Sequence, residues 1–94
     1  MMALVWSPTF VRAVKRKTRR HPGLLEAIEK ALHRLEADPF QPLLHTHKLT
    51  GHLSGTWACS VDYDVRILFE FVQNPESGAE EILLLTVGAH DEVY

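Results

Sequence analysis

From residue 57 the hydrophobic pattern of this chain takes a period of two. In Trp57-Ala58-Cys59-Ser60-Val61 the odd positions are large or apolar and the even ones small or polar. In Val65-Arg66-Ile67-Leu68-Phe69-Glu70-Phe71 the odd positions are again apolar. Successive side chains of a strand point to opposite faces, so both strings read as strands with one face buried. Turn formers follow each: Asp62-Tyr63-Asp64 after the first, and Asn74-Pro75-Glu76-Ser77-Gly78 after the second. A last strand is expected from Glu81 to Val87, ended by Gly88. Three strands joined by short turns form an antiparallel meander.

A meander with one apolar face needs a cover, and the first forty residues supply it. Residues 3–6 read as a short first strand. Ser7-Pro8 reads as a helix start, because serine caps free backbone donors and proline suits the first turn. Phe10, Val11 and Val14 recur at helical spacing, and His21-Pro22-Gly23 breaks the helix. A second helix is expected over residues 24–37. Leu24, Leu25, Ile28, Leu32 and Leu35 form its apolar stripe, Glu26 and Lys30 pair on the other face, and Asp38-Pro39 stops it. Residues 39–55, with two prolines and two glycines, read as irregular, and they carry His45, His47 and His52. The fold class is therefore α+β, in the order β-α-α-β-β-β, with two N-terminal helices on a small antiparallel sheet.

Ninety-four residues make one domain, covering 1–94. A lone cysteine, Cys59, cannot form an internal disulfide, and on the apolar face of its strand it reads as a packed core residue. No signal peptide and no membrane-spanning run is seen, which points to the cytoplasm and away from membranes. The net charge of −2 hides an asymmetry. Residues 1–25 hold six of the ten basic residues and no acid, whereas Asp62 to Tyr94 hold eight acids and one base. The basic helix, with Arg12, Lys15, Arg16 and Arg19, suits a polyanion such as RNA, or an acidic protein segment. A solvated helix face is the plain alternative.

There is no phosphate-binding glycine loop and no Gly-x-Ser-x-Gly elbow. His45-x-His47 with His52 or His90 matches no metal-site spacing, so no metal or other cofactor is expected. RNA can be cut without one, by attack of its own 2′-hydroxyl on the adjacent phosphate. The protein must then take one proton, return another and neutralise the phosphorane. Histidine and carboxylate suit the first two tasks, and the planar fork of arginine the third. His47, Asp64, Arg66 and His90 provide that set. Each has a plainer reading as well: loop packing for the histidines, turn formation for Asp64, surface pairing with Asp64 or Glu70 for Arg66.

The stretches His47-Lys48-Leu49-Thr50-Gly51, Leu53-Ser54-Gly55-Thr56-Trp57, Asp64-Val65-Arg66-Ile67-Leu68-Phe69 and Gly88-Ala89-His90-Asp91-Glu92-Val93-Tyr94 resemble the RelE/ParE toxin superfamily, in particular its YafQ-like mRNA interferases. The resemblance covers nearly the whole chain, including the element order, the basic first helix and the closing aromatic. It implies the toxin of a type II toxin–antitoxin pair. Such a toxin would be a metal-independent endoribonuclease acting on mRNA at the ribosome, blocked by a cognate antitoxin in a hetero-oligomer. By position it implies catalytic roles for His47, Asp64, Arg66, His90 and Tyr94. Lys48, beside His47, joins Arg12, Lys15, Arg16 and Arg19 as an expected RNA contact. In the YafQ-like pattern the first meander strand often carries an acid and a histidine. Ala58 and Ser60 stand there in this chain, which shifts proton transfer to His47 and His90. A ParE-like gyrase inhibitor that cuts nothing is the alternative, and the two histidines speak against it.

Overall fold

A computed structural model describes all residues from Met1 to Tyr94. Its elements are β1 (Leu4–Trp6), α1 (Pro8–Arg20), α2 (Leu24–Ala37), β2 (His47–Lys48), β3 (Trp57–Ser60), β4 (Val65–Gln73), β5 (Glu80–Ala89) and α3 (His90–Val93), with short 3₁₀ turns at Pro42–Leu44 and Gly51–Leu53. The sheet has the order β1-β5-β4-β3-β2. β1 runs parallel to β5, and every other neighbouring pair is antiparallel.

Local chemistry sets the element boundaries. Ser7 Oγ accepts the N–H of Phe10 at 3.1 Å, and Pro8 opens α1. The Glu26–Lys30 pair on α2 is present at 3.4 Å. The β4–β5 turn is closed by Asn74, whose Oδ1 accepts the N–H groups of Glu76 and Ser77, and by Gly78 at φ 73°. Glycine is the residue that takes such a φ without a steric cost.

The core lies between the helices and one sheet face. Phe10, Ala13 and Val14 of α1 and Ile28, Ala31, Leu32 and Leu35 of α2 meet Cys59, Ile67, Phe69, Ile82, Leu84 and Val87. Ile82 and Leu84 are even-numbered and Val87 is odd, yet all three point into the core. The register explains this: Leu68 pairs with Thr86 but Phe69 with Leu84, so Leu85 is an extra residue. Such a bulge reverses the facing of everything beyond it. The Leu85 carbonyl accepts from Ser7 Oγ at 3.4 Å, which ties the bulge to the start of α1.

Four expectations need correction. Residues 39–55 are not wholly irregular: His47 and Lys48 form β2 by pairing with Ala58 and Trp57, a ladder extended by Leu49 N–H donating to the Thr56 carbonyl at 2.9 Å. This strand is made by its partner, not by local propensity. The last strand runs from Glu80 to Ala89, so Gly88 lies within it, and residues 90–93 form a short helix after it. Leu25 is 43% exposed, and Ala31 takes its place in the buried stripe of α2. The even positions of β3 and β4 are not all open to solvent either, since Ala58 and Leu68 are buried.

Candidate active site

The sheet gathers the candidate residues at one end. His47 pairs with Ala58, so its side chain lies on the Ala58 face of the sheet, away from the helices. Ser60 pairs with Arg66, and Arg66 with Gly88, on that same face. At Gly88 the next residues turn back over the sheet as α3. The His90 N–H donates to the Asp64 carbonyl at 2.9 Å, and the Tyr94 N–H to the His90 carbonyl at 3.1 Å. Glu92 Oε1 accepts the Ala89 N–H at 2.8 Å and also pairs with Lys17 of α1. The Glu92 carboxyl therefore lies below its ordinary 4.5, chiefly through the Lys17 hydrogen bond and then through that of Ala89.

Glycine at 88 is what lets α3 lie so close. A Cβ there would stand 3.1 Å from Val93 Cγ1 and 3.3 Å from Glu92 Oε1. The close approach brings Tyr94 to both histidines. Its ring meets His90 edge-on with centroids 4.3 Å apart, and its hydroxyl lies 3.5 Å from His47 Nε2. Burial raises the Tyr94 phenol above its ordinary 10.0, and the Arg66 charge opposes that rise, so the hydroxyl stays protonated at neutral pH.

Arg66 is held from behind. Its Nη1 is shared among the carbonyls of Asp62 (3.1 Å), Tyr63 (3.3 Å) and Val65 (3.1 Å) at the β3–β4 hairpin. Neither Asp64 nor Glu70 pairs with it, so the plainer reading of Arg66 as half of a surface ion pair gives way to these backbone contacts. The other guanidinium nitrogens remain to meet an anion, in a depression of about 310 Å³ lined by Leu43, His45, Ser60, Asp62, Tyr63 and Arg66 among others. His47 Nδ1 lies 2.9 Å from the His45 carbonyl.

His47, His90 and Tyr94 thus form one cluster, with Arg66 close enough for its charge to reach the Tyr94 phenol. Asp64 takes part through its backbone carbonyl, while its carboxylate is exposed and accepts no side-chain hydrogen bond. Lys48 pairs with Trp57 and lies over the Trp57 ring at 5.7 Å, on the face opposite His47. Arg12, Lys15, Arg16 and Arg19 are exposed along α1, and Arg16 is near enough to α3 to act on Glu92. Cys59 is fully buried and its thiol is pushed up to about 12 by burial, so it is inert in this site. No group of three or more metal-ligating side chains converges anywhere in the chain. Sequence reasoning missed Lys17, Gly88 and Glu92. Of these only Glu92, three residues beyond Ala89, carries a local signal, that of a helix-capping glutamate.

No protein-family model matches this sequence, and no curated protein is recognisably similar to it. Solved structures are. The YoeB/ParE toxin from Agrobacterium tumefaciens superposes with a TM-score of 0.75 at 18% identity, covering 95% of this chain and 99% of that one. YafQ from E. coli strain BL21(DE3) superposes with a TM-score of 0.72 at 16% identity, over 100% of this chain and 99% of its own. The chain has the RelE-like toxin fold. YafQ in its E. coli complex with DinJ superposes as well, with a TM-score of 0.70 at 17% identity over 100% of this chain and 99% of that one. In this RelE-like fold the open end of the sheet, the β3–β4 hairpin and α3 flank the solvent-facing histidine–tyrosine cluster. No helix is long and apolar enough to cross a membrane.

Proposed function

We propose that the chain is the toxin of a type II toxin–antitoxin pair and that it cleaves mRNA in the cytoplasm, on the ribosome, without a metal. The observation that carries this reading is the meeting of His47, His90 and Tyr94 beside a backbone-anchored Arg66. Two imidazoles a few ångströms from one phenol suit a reaction that needs one proton removed and one returned. The 2′-oxygen attacks phosphorus as its proton passes to one histidine. The 5′-oxygen leaves with a proton from the other, giving a 2′,3′-cyclic phosphate and a 5′-hydroxyl. Arg66 faces the non-bridging oxygens, where negative charge gathers in the phosphorane. Tyr94, protonated and partly buried, is suited to stack on a base or to hold a phosphate oxygen. Asp64 serves by fixing α3 through its carbonyl, with its carboxylate free for a solvent-side role.

The basic face of α1 supplies the phosphate contacts that hold an RNA without reading it: Arg12, Lys15, Arg16 and Arg19, with Lys48 at the sheet edge. The same face suits an acidic segment of a cognate antitoxin, a partner class consistent with the DinJ complex of YafQ.

The deciding experiment is induced expression in a bacterium of the wild type and of the His47→Ala/His90→Ala double mutant, with primer extension on a reporter mRNA. New 5′ ends inside the translated region, absent for the mutant, are expected. Growth arrest with intact mRNA refutes the nuclease and leaves the gyrase-inhibiting alternative. Normal growth with intact mRNA refutes the toxin as well.

A further inference from the structure

We propose that the backbone carbonyl of His45 holds the proton of neutral His47 on Nδ1, which makes Nε2 the proton acceptor of the site and leaves the donor's part to His90. The chemistry assigned here rests on the nuclease reading, whereas the position of the proton does not.

His45 is the only residue other than glycine with a positive φ, at φ 48° and ψ 39°. A side chain with a Cβ adopts this left-handed region at a cost, so the conformation persists only where its surroundings impose it. Here they do. The 3₁₀ turn Pro42–Leu44 ends on His45, whose N–H donates to the Pro42 carbonyl at 3.2 Å. Two residues later His47 is fixed by its pairing with Ala58. The reversal of the chain between these two anchors brings the His45 carbonyl oxygen to 2.9 Å from His47 Nδ1.

A carbonyl oxygen has no hydrogen to give, so this contact is a hydrogen bond only when Nδ1 carries the proton. In a neutral imidazole the other nitrogen, Nε2, then holds the free lone pair. Nε2 points into the cluster. The Tyr94 hydroxyl, 3.5 Å away, is too distant to occupy that lone pair strongly. A 2′-hydroxyl that approached Nε2 would find an acceptor ready. No carbonyl pins the His90 ring in the same way, since its Nδ1 meets only the exposed Asp91 carboxylate at 3.5 Å. His45 is thus a positioning residue that acts through its backbone.

The histidine ring nitrogens of the full-length ¹⁵N-labelled chain report this directly. For neutral His47, Nδ1 should resonate in the pyrrole-like range and Nε2 in the pyridine-like range. The reverse pattern overturns the proposal. In His45→Gly, where φ stays free to be positive, the tautomer should persist. In His45→Val, which disfavours positive φ, it should be lost while the rest of the amide spectrum is retained. A His45→Val protein that keeps the Nδ1–H form also overturns it.

The division of labour is read with ribosome-bound mRNA whose scissile 5′-oxygen is replaced by sulfur, a leaving group that needs no proton. On ordinary RNA both His47→Ala and His90→Ala should fall by about 10²-fold or more. On the sulfur substrate His90→Ala should recover to within about tenfold of wild type, and His47→Ala should not. Recovery of His47→Ala instead overturns the assignment of base and acid. A chain that cuts neither substrate refutes the nuclease reading, while the spectrum still decides where the proton sits.

Discussion

Gly88→Ala should disable the cluster while leaving the fold nearly as stable as before. The added methyl meets Val93 Cγ1 at 3.1 Å, Glu92 Oε1 at 3.3 Å and Glu92 Cβ at 3.5 Å. The Glu92 oxygen ends a flexible side chain and can step aside, but Val93 is β-branched and has little rotameric freedom. Either the strand or α3 must therefore move. Position 88 sits in the long β4–β5 ladder, paired with Arg66. α3 is held by the His90–Asp64 and Ala89–Glu92 hydrogen bonds and by the half-buried Lys17–Glu92 pair. Two hydrogen bonds at about 1 kcal/mol each compare with about 1–3 kcal/mol for an overpacked methyl, so α3 is the part that yields. Globally the loss is offset by about 0.5–1 kcal/mol, because alanine is less costly than glycine in a strand. The net change should stay within about 1 kcal/mol, a shift in Tm of no more than about 8 °C. Thermal unfolding, paired with NMR contacts between the Tyr94 and His47 rings, separates the two effects. The contacts should vanish with little change in Tm. Intact ring contacts with a loss of stability of several kcal/mol would show that the sheet yields, and would refute the view of α3 as the softer partner.

Cys59 should resist thiol reagents in the native chain and react on unfolding. Its thiol is held near 12 in the fold against 9.0 for the free group, so its proton is retained longer folded than unfolded. That contribution is complete below pH 9 and is lost as pH rises toward 12, at a slope approaching about 1.4 kcal/mol per pH unit, and Cys59→Ala should remove the slope in alkaline unfolding curves. Phe69→Ala, which empties the centre of the core, should cost about 3–5 kcal/mol in denaturant unfolding. Arg66→Lys keeps the charge but loses the fork shared between the hairpin carbonyls and an anion, and should lower RNA cleavage at least tenfold with Tm nearly unchanged. Lowering the pH through the depressed pKa of Glu92, or raising salt, should loosen α3, seen as faster exchange of the His90 amide.

The helices and the meander were legible because each is written in local terms. Ser7-Pro8, His21-Pro22-Gly23 and Asp38-Pro39 mark helix ends by backbone chemistry alone, and the alternation over 57–71 marks two strands. What escaped depends on residues distant in sequence. β2 exists because Ala58 and Trp57 offer it a ladder, and nothing in Thr46-His47-Lys48 announces a strand. The Leu85 bulge was hidden by the continuous apolar run Ile82-Leu83-Leu84-Leu85, in which a reversal of facing leaves no mark. Leu25 kept to the helical period yet lies outside the buried stripe, which Ala31 fills instead. At the site, the histidines, Arg66 and Tyr94 were found by type and resemblance. Their convergence depends on Gly88 and Glu92, whose importance appears only once α3 is laid on the sheet.

The parallel pairing of Leu4–Trp6 with Ile82–Leu84 fixes an order of events during synthesis. The first strand has no partner until more than seventy further residues have been added. At about 5–20 residues per second, that is a delay on the order of 4–15 s. The helical hairpin and the β3–β4 hairpin need only neighbours and can form within microseconds of emerging. Val5 and Trp6 must wait, unpaired, for β5. His47 waits equally for His90 and Tyr94, which arrive later still. The His47, His90 and Tyr94 cluster is therefore completed in the same stretch of translation that closes the sheet and its core.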